Sequence, residues 1–134
     1  MSAQYLSTLP NFIAWLLTGV ALTIAFAAAY MLITPQREMT LIREGNVSAA
    51  ISLGGALLGF VLPIASAISH GIDIRDLITW GIVALVVQLL AYASLRMMIR
   101  ELPRAIEENK VSIAVFSATI SICAGLLNAA CMTY

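Results

Sequence analysis

Residues 12–34 read FIAWLLTGVALTIAFAAAYMLIT, 23 positions without a charged side chain. Coiled as an α-helix, such a stretch rises about 34 Å, enough to cross the roughly 30 Å hydrocarbon core of a bilayer. Pro35 follows, and the residue before a proline is disfavoured in a helix, so the span should end there. A cleaved signal peptide is a poor alternative. No Lys or Arg precedes Arg37, so a positive leading segment is missing, and the apolar run is longer than such peptides carry.

Three further apolar stretches follow, at about 47–69, 77–99 and 111–132. The chain has 134 residues, of which 61% are hydrophobic and 10% charged. Its mean hydropathy is +0.97. Soluble domains carry about 25% charged residues, and one this small could not hide so much apolar surface from water. The fold class that follows is all-α: a polytopic membrane protein, one domain over 1–134, with four transmembrane helices and the lipid bilayer as partner. Four spans use most of the chain and leave only short connections.

The positions of the cations orient the spans. Arg37 and Arg43 lie in the first gap and Arg96, Arg100, Arg104 and Lys110 around the third, whereas the second holds only Arg75, beside Asp73 and Asp76. Lys and Arg near span ends accumulate on the cytoplasmic side. Six against one therefore predicts that loops 35–46 and 100–110 are cytoplasmic, with both termini and the 71–76 turn periplasmic. The net charge is zero and no basic face is apparent, which excludes a nucleic-acid binder.

The two halves resemble each other. A shift of 64 residues places Glu44 on Glu108, Val47 on Val111, Ser48 on Ser112, Ala50 on Ala114, Leu62 on Leu126 and Ala65 on Ala129, six identities in 23 ungapped positions. Each half holds two spans, so a duplicated helical hairpin would form a parallel repeat, about an axis along the membrane normal.

Several short motifs, in order, resemble the YjfL family of small bacterial inner-membrane proteins, classed as a domain of unknown function. They are Ile33-Thr34-Pro35, Leu41-Ile42, GGALLGFVLP (54–63), Trp80-Gly81, ALVVQLL (84–90) and NAACMTY (128–134). The resemblance implies a four-span inner-membrane protein built as a duplicated hairpin. It carries no catalytic residues over. Members of the family occur beside genes for membrane-stress proteins and ATP-grasp ligases, which implies an association with membrane stress and no mechanism.

Within the spans, the candidate functional residues are few. Gln88 sits mid-span, and an amide without a partner in hydrocarbon is strongly unfavourable, so it should point into protein. Steps of four give Ala84, Gln88, Tyr92, Arg96 and Arg100 on one helix stripe. Either Gln88 bonds a neighbouring helix while the arginines reach the headgroups, the favoured reading, or Gln88 and Tyr92 line a hydrated seam. Gly55 and Gly59 in the second span and Ser117, Ser121, Gly125 and Ala129 in the fourth are small residues at helical spacing. They serve close packing within the chain or, as the rival reading, a homodimer face. Pro63 should kink the second span. Glu44 and Glu108 precede spans, where a helix N-terminus stabilises an acid.

Asn128 and His70 lie at similar depth near the periplasmic ends. His70 is the only histidine, so haem held by paired histidines of one chain is excluded. Cys123 and Cys131, eight residues apart on one helix, are about 12 Å apart and cannot form a disulfide. They read as packing residues, with Cys131 near the helix end within reach of water. No cofactor or metal is implied.

Two classes of function remain. The first is a non-enzymatic membrane component, an oligomeric scaffold or accessory subunit (a homo-oligomer), with a cytoplasmic protein partner docking at the mixed-charge segment 96–110. The second is a small channel or transporter with its polar seam at Gln88 and Tyr92. No Asp or Glu lies inside any span, and such acids are the usual marks of proton-coupled transport. No nucleophile–base pair can be assembled, so catalysis is not expected.

Overall fold

The computed structural model describes residues 2–35 and 37–132. Among these residues the chain forms α1 (Ser2–Ile33), α2 (Glu38–Arg43), α3 (Val47–His70), α4 (Ile74–Met98), α5 (Leu102–Glu107) and α6 (Val111–Cys131). The four long helices are each long and apolar enough to cross a membrane. Thr133 and Tyr134, the end of the NAACMTY motif, lie outside the described residues.

The outer surface of these helices is what lipid requires. Leu17, Ile24, Leu32, Leu90 and Leu127 are all exposed, a pattern that contiguous in water would mark a large sticky patch. Outward hydroxyls within the spans bond to their own helices at several positions. Thr18 donates to Ala14 O at 2.7 Å, Ser94 to Leu90 O at 2.9 Å and Thr119 to Val115 O at 2.7 Å. This back-bonding lets a hydroxyl face hydrocarbon without an orphaned donor.

Two features depart from the sequence reading. Helix α1 begins at Ser2, ahead of the apolar stretch and through Pro10, because lipid thickness limits the apolar span but not the backbone ladder. The gaps at 35–46 and 100–110, read as loops, each contain a six-residue helix. Helices this short carry no usable periodicity and form only by docking. Helix α5 buries Leu102, Ala105 and Ile106 against the bundle. Each short helix closes in a Schellman motif around a left-handed residue, Gly45 (φ 88°) and Asn109 (φ 59°). Gly45 N donates to Ile42 O and Asn46 N to Leu41 O; Asn109 N donates to Ile106 O and Lys110 N to Ala105 O.

The bounds of α2 and α5, the left-handed residues and the starts of α3 and α6 all recur at a spacing of 64 residues. Asn46 stitches the halves together. Its Oδ1 accepts from Ala49 N to cap α3, while Nδ2 donates to Ile106 O at 3.0 Å. Asn109 Oδ1 in turn accepts from Ser48 N at 3.0 Å.

Helix α3 is the centre of the bundle, with half of its most apolar stretch buried against 17% for α1. It runs parallel to α6, since its start meets Asn109 and Gly55 and Gly59 meet Ala118 and Gly125 in ascending order. It runs antiparallel to α1, where Phe26 stacks on Phe60 at 4.5 Å and Gly19 faces Ile68. Cys123 and Cys131 are exposed, turned outward from the core; this corrects the packing role expected for Cys123 and agrees with the accessibility expected for Cys131. The core positions of α6 belong instead to the smaller Ala114, Ser117, Ala118, Ser121 and Gly125.

Candidate functional site

Small residues let α3 and α6 touch backbone to backbone. A Cβ on Gly55 would collide with Ala118, and one on Gly59 with Ser121 O. A Cβ on Gly125 would meet Gly59 O, the carbonyl left without its helical donor by Pro63 four residues on. The same approach brings the Gly125 Cα–H within range of that oxygen, a weak donor for an orphaned acceptor. Helix α3 continues unbroken through Pro63 to His70.

Gln88 enters this seam from α4. It is 2% exposed, and its Nε2 donates to Ser121 O at 3.0 Å, close to where a Cβ on Gly59 would stand. Its Oε1 makes no hydrogen bond. One amide thus contacts both helices of the central pair. Asn128, two turns beyond Ser121 on α6, is half-buried, and its Nδ2 makes no hydrogen bond. The structure therefore brings Gly55, Gly59 and Gln88 together around α6, with Tyr92 and Asn128 in different surroundings.

Tyr92 belongs to a second polar group, at the end of the bundle that carries the short helices. Its ring meets that of Tyr30 edge-on at 5.5 Å, and Arg96 Nη1 donates to its hydroxyl at 3.4 Å. The Tyr30 phenol lies beside the Ser52 hydroxyl and within electrostatic reach of Glu38, which opens α2. Glu38 is 1% exposed, and neither carboxyl oxygen accepts a hydrogen bond of ordinary geometry. Burial holds its carboxyl above the usual carboxylate range. The neighbouring Thr34 hydroxyl, itself directed at Met31 O at 3.4 Å, and Glu38's own backbone N–H act in the opposite direction without outweighing burial.

Glu38, Tyr30, Thr34 and Ser52 carry no signal in the sequence. Glu38 stands outside every span, so a search of spans for acids passes over it. Only the fold of α2 against α3, just past Pro35, brings the carboxyl back into the bundle.

His70 Nδ1 and Ser66 O are 3.1 Å apart at the opposite end, a local contact within one helix. Among the described residues no group of three or more His, Cys, Asp or Glu could hold a metal ion.

The family model "Domain of Unknown Function (DUF350)" matches residues 4–132. The chain is 38% identical to the UPF0719 inner membrane protein YjfL of Escherichia coli (strain K12) over 129 residues, 96% of this chain and 98% of that protein. It is 24% identical to the UPF0719 transmembrane protein YshE of Bacillus subtilis (strain 168) over 124 residues, 91% and 92% of the two chains. No solved structure matches it.

Proposed function

The chain belongs to the DUF350 family of multi-pass membrane proteins, and from that premise we propose that it is a non-enzymatic scaffold or accessory component of the bacterial inner membrane. It works as an oligomer, docks a soluble partner through residues 96–110, and has membrane stress as its setting. On this reading the short helices face the cytoplasm, both termini are periplasmic, and the halves are a duplicated hairpin. The observation that carries the reading is the surface of α5. Its apolar side plugs the bundle, while Arg100, Glu101, Arg104, Glu107, Glu108 and Lys110 stay exposed. The Arg104–Glu108 pair, 3.2 Å apart, adds little stability at such exposure, which leaves its charges available for recognition.

The rival pathway reading gains least from Gln88, whose amide is committed to Ser121 O. The glycine seam joins α3 to α6 inside the chain, so an oligomer must use other faces, and the largely unburied α1 offers the widest one.

Co-purification in mild detergent tests the proposal. A discrete oligomer should carry a soluble protein that is lost on Arg100→Ala/Arg104→Ala while the oligomer persists. A monomer without any protein partner, conducting ions once reconstituted, would replace the scaffold with the channel.

A further inference from the structure

Glu38 and Leu102 open the two short helices 64 residues apart, and each is 1% exposed. The second half fills this position with a hydrocarbon plug, the first half with a carboxyl. A carboxylate cannot share a leucine's environment unless it finds a cation, several donors or a proton.

Among the described residues no cation reaches Glu38, and no donor meets either of its oxygens in ordinary hydrogen-bond geometry. Helix α1 presents Tyr30, with Thr34 just past its end, and α3 presents Ser52 beside Tyr30. Helix α4 contributes Tyr92 and, beyond it, Arg96, whose guanidinium donates to the Tyr92 hydroxyl. On its own segment Arg37 and Arg43 are exposed, and Glu107 of α5 lines a cleft with Arg37 next door. None of these hydrogen-bonds either oxygen of Glu38.

We propose that the Glu38 carboxyl, enclosed by Tyr30, Thr34 and Tyr92, is a proton-binding site whose occupancy fixes α2 against the bundle. Protonated, the side chain is a polar counterpart of Leu102 and seats the short helix. Ionised, it cannot remain there, and α2 must release it toward water. The route for the proton is a cleft of about 330 Å³ bordered by Glu38, Thr34, Pro35, Arg37, Met39 and Thr40. Burial raises the folded-state proton affinity above that of an ordinary glutamate, whose reference value is 4.5. Docking is therefore strongest below that value and weakens as pH rises through the higher folded-state value. The site adds a property that the scaffold reading does not need, and it stands or falls separately.

Infrared difference spectroscopy of the full chain in lipid nanodiscs, titrated from acid to alkaline pH, reads the proton directly. A protonated-carboxyl band should persist above the range where the other carboxyls have ionised, and Glu38→Gln should remove it. Replacing sodium and potassium with choline should leave the midpoint unmoved. A midpoint that falls as sodium, potassium or magnesium is added would make the ligand a metal cation and overturn the proposal. Dicyclohexylcarbodiimide, which takes up the proton of a carboxyl in apolar surroundings and is then added to by its oxygen, gives a readout that needs no variant. Mass mapping should find the adduct at Glu38 at neutral pH, with labelling declining several-fold as pH rises. No adduct at Glu38, together with a band that titrates like a free carboxyl, would refute the site.

Discussion

Two buried side chains, Gln88 and Glu38, pose the same problem and resolve it differently. Gln88 is neutral at every pH and donates to a backbone carbonyl that is otherwise part of the α6 ladder. Interhelical hydrogen bonds in membranes average about 0.6 kcal/mol and reach roughly 1.7. Gln88→Leu should therefore lower the thermal stability of the detergent-solubilised protein by an amount in that range and leave the fold intact. A collapse of the fold would mean that the amide organises the seam far beyond its one bond. Glu38 has no such bond, and its stability contribution depends on protonation. Glu38→Gln mimics the protonated acid, so its stability should match the wild type in acid and exceed it as pH rises, since only the wild type must ionise. Parallel pH–stability curves for the two proteins would contradict this.

Between elements, the pairing of α3 with α6 decides most of the architecture. Lipid provides no hydrophobic drive for helices to associate, so the pair depends on van der Waals contact and weak polar contacts at short range. Gly55, Gly59 and Gly125 permit that range, and each meets backbone of the partner helix. Gly59→Leu would place a branched side chain against Ser121 O, the Gln88 amide and Gly125. Overpacking of this kind costs about 1–3 kcal/mol and occasionally more. Thermal unfolding should show that loss, whereas Gly54→Leu, with nothing within 4 Å of its Cβ, should be far milder. Equal losses at the two glycines would show that α3 packs in another rotation.

For the whole molecule, the short helices, their Schellman turns and every cation but Arg75 gather at one end, and the 71–76 turn stands at the other. That arrangement turns orientation into one measurement. Cysteines replacing Ser2 or Asp73 should react with an impermeant thiol reagent in intact cells, and one replacing Glu107 should not, because Lys and Arg favour the cytoplasmic side. The native Cys123 and Cys131 are exposed, so the measurement needs both replaced by serine or alanine first. Labelling at Glu107 and protection at Asp73 would invert the protein and place the Glu38 cleft outside.

The sequence by itself determined the four membrane-crossing helices, the ends of the last three within a few residues, and the family. The helices depend on composition along a single segment, because hydrocarbon demands an uncharged run of fixed length that polar residues and Pro35 interrupt, whereas the family rested on the order of short motifs. It also marked Gln88, Gly55 and Gly59 as unusual for their spans. Only the tertiary structure decided which neighbours they meet, because helix rotation is set by packing and a lipid-facing stripe can be as small or as apolar as a buried one. Tertiary structure alone revealed the short helices, whose six residues hold no periodic signal and exist through docking. Glu38 is the sharpest case. In sequence it is a polar residue in a charged gap, and a charge in a gap reads as solvated. Its burial follows from the return of the chain after Pro35, which no local pattern records.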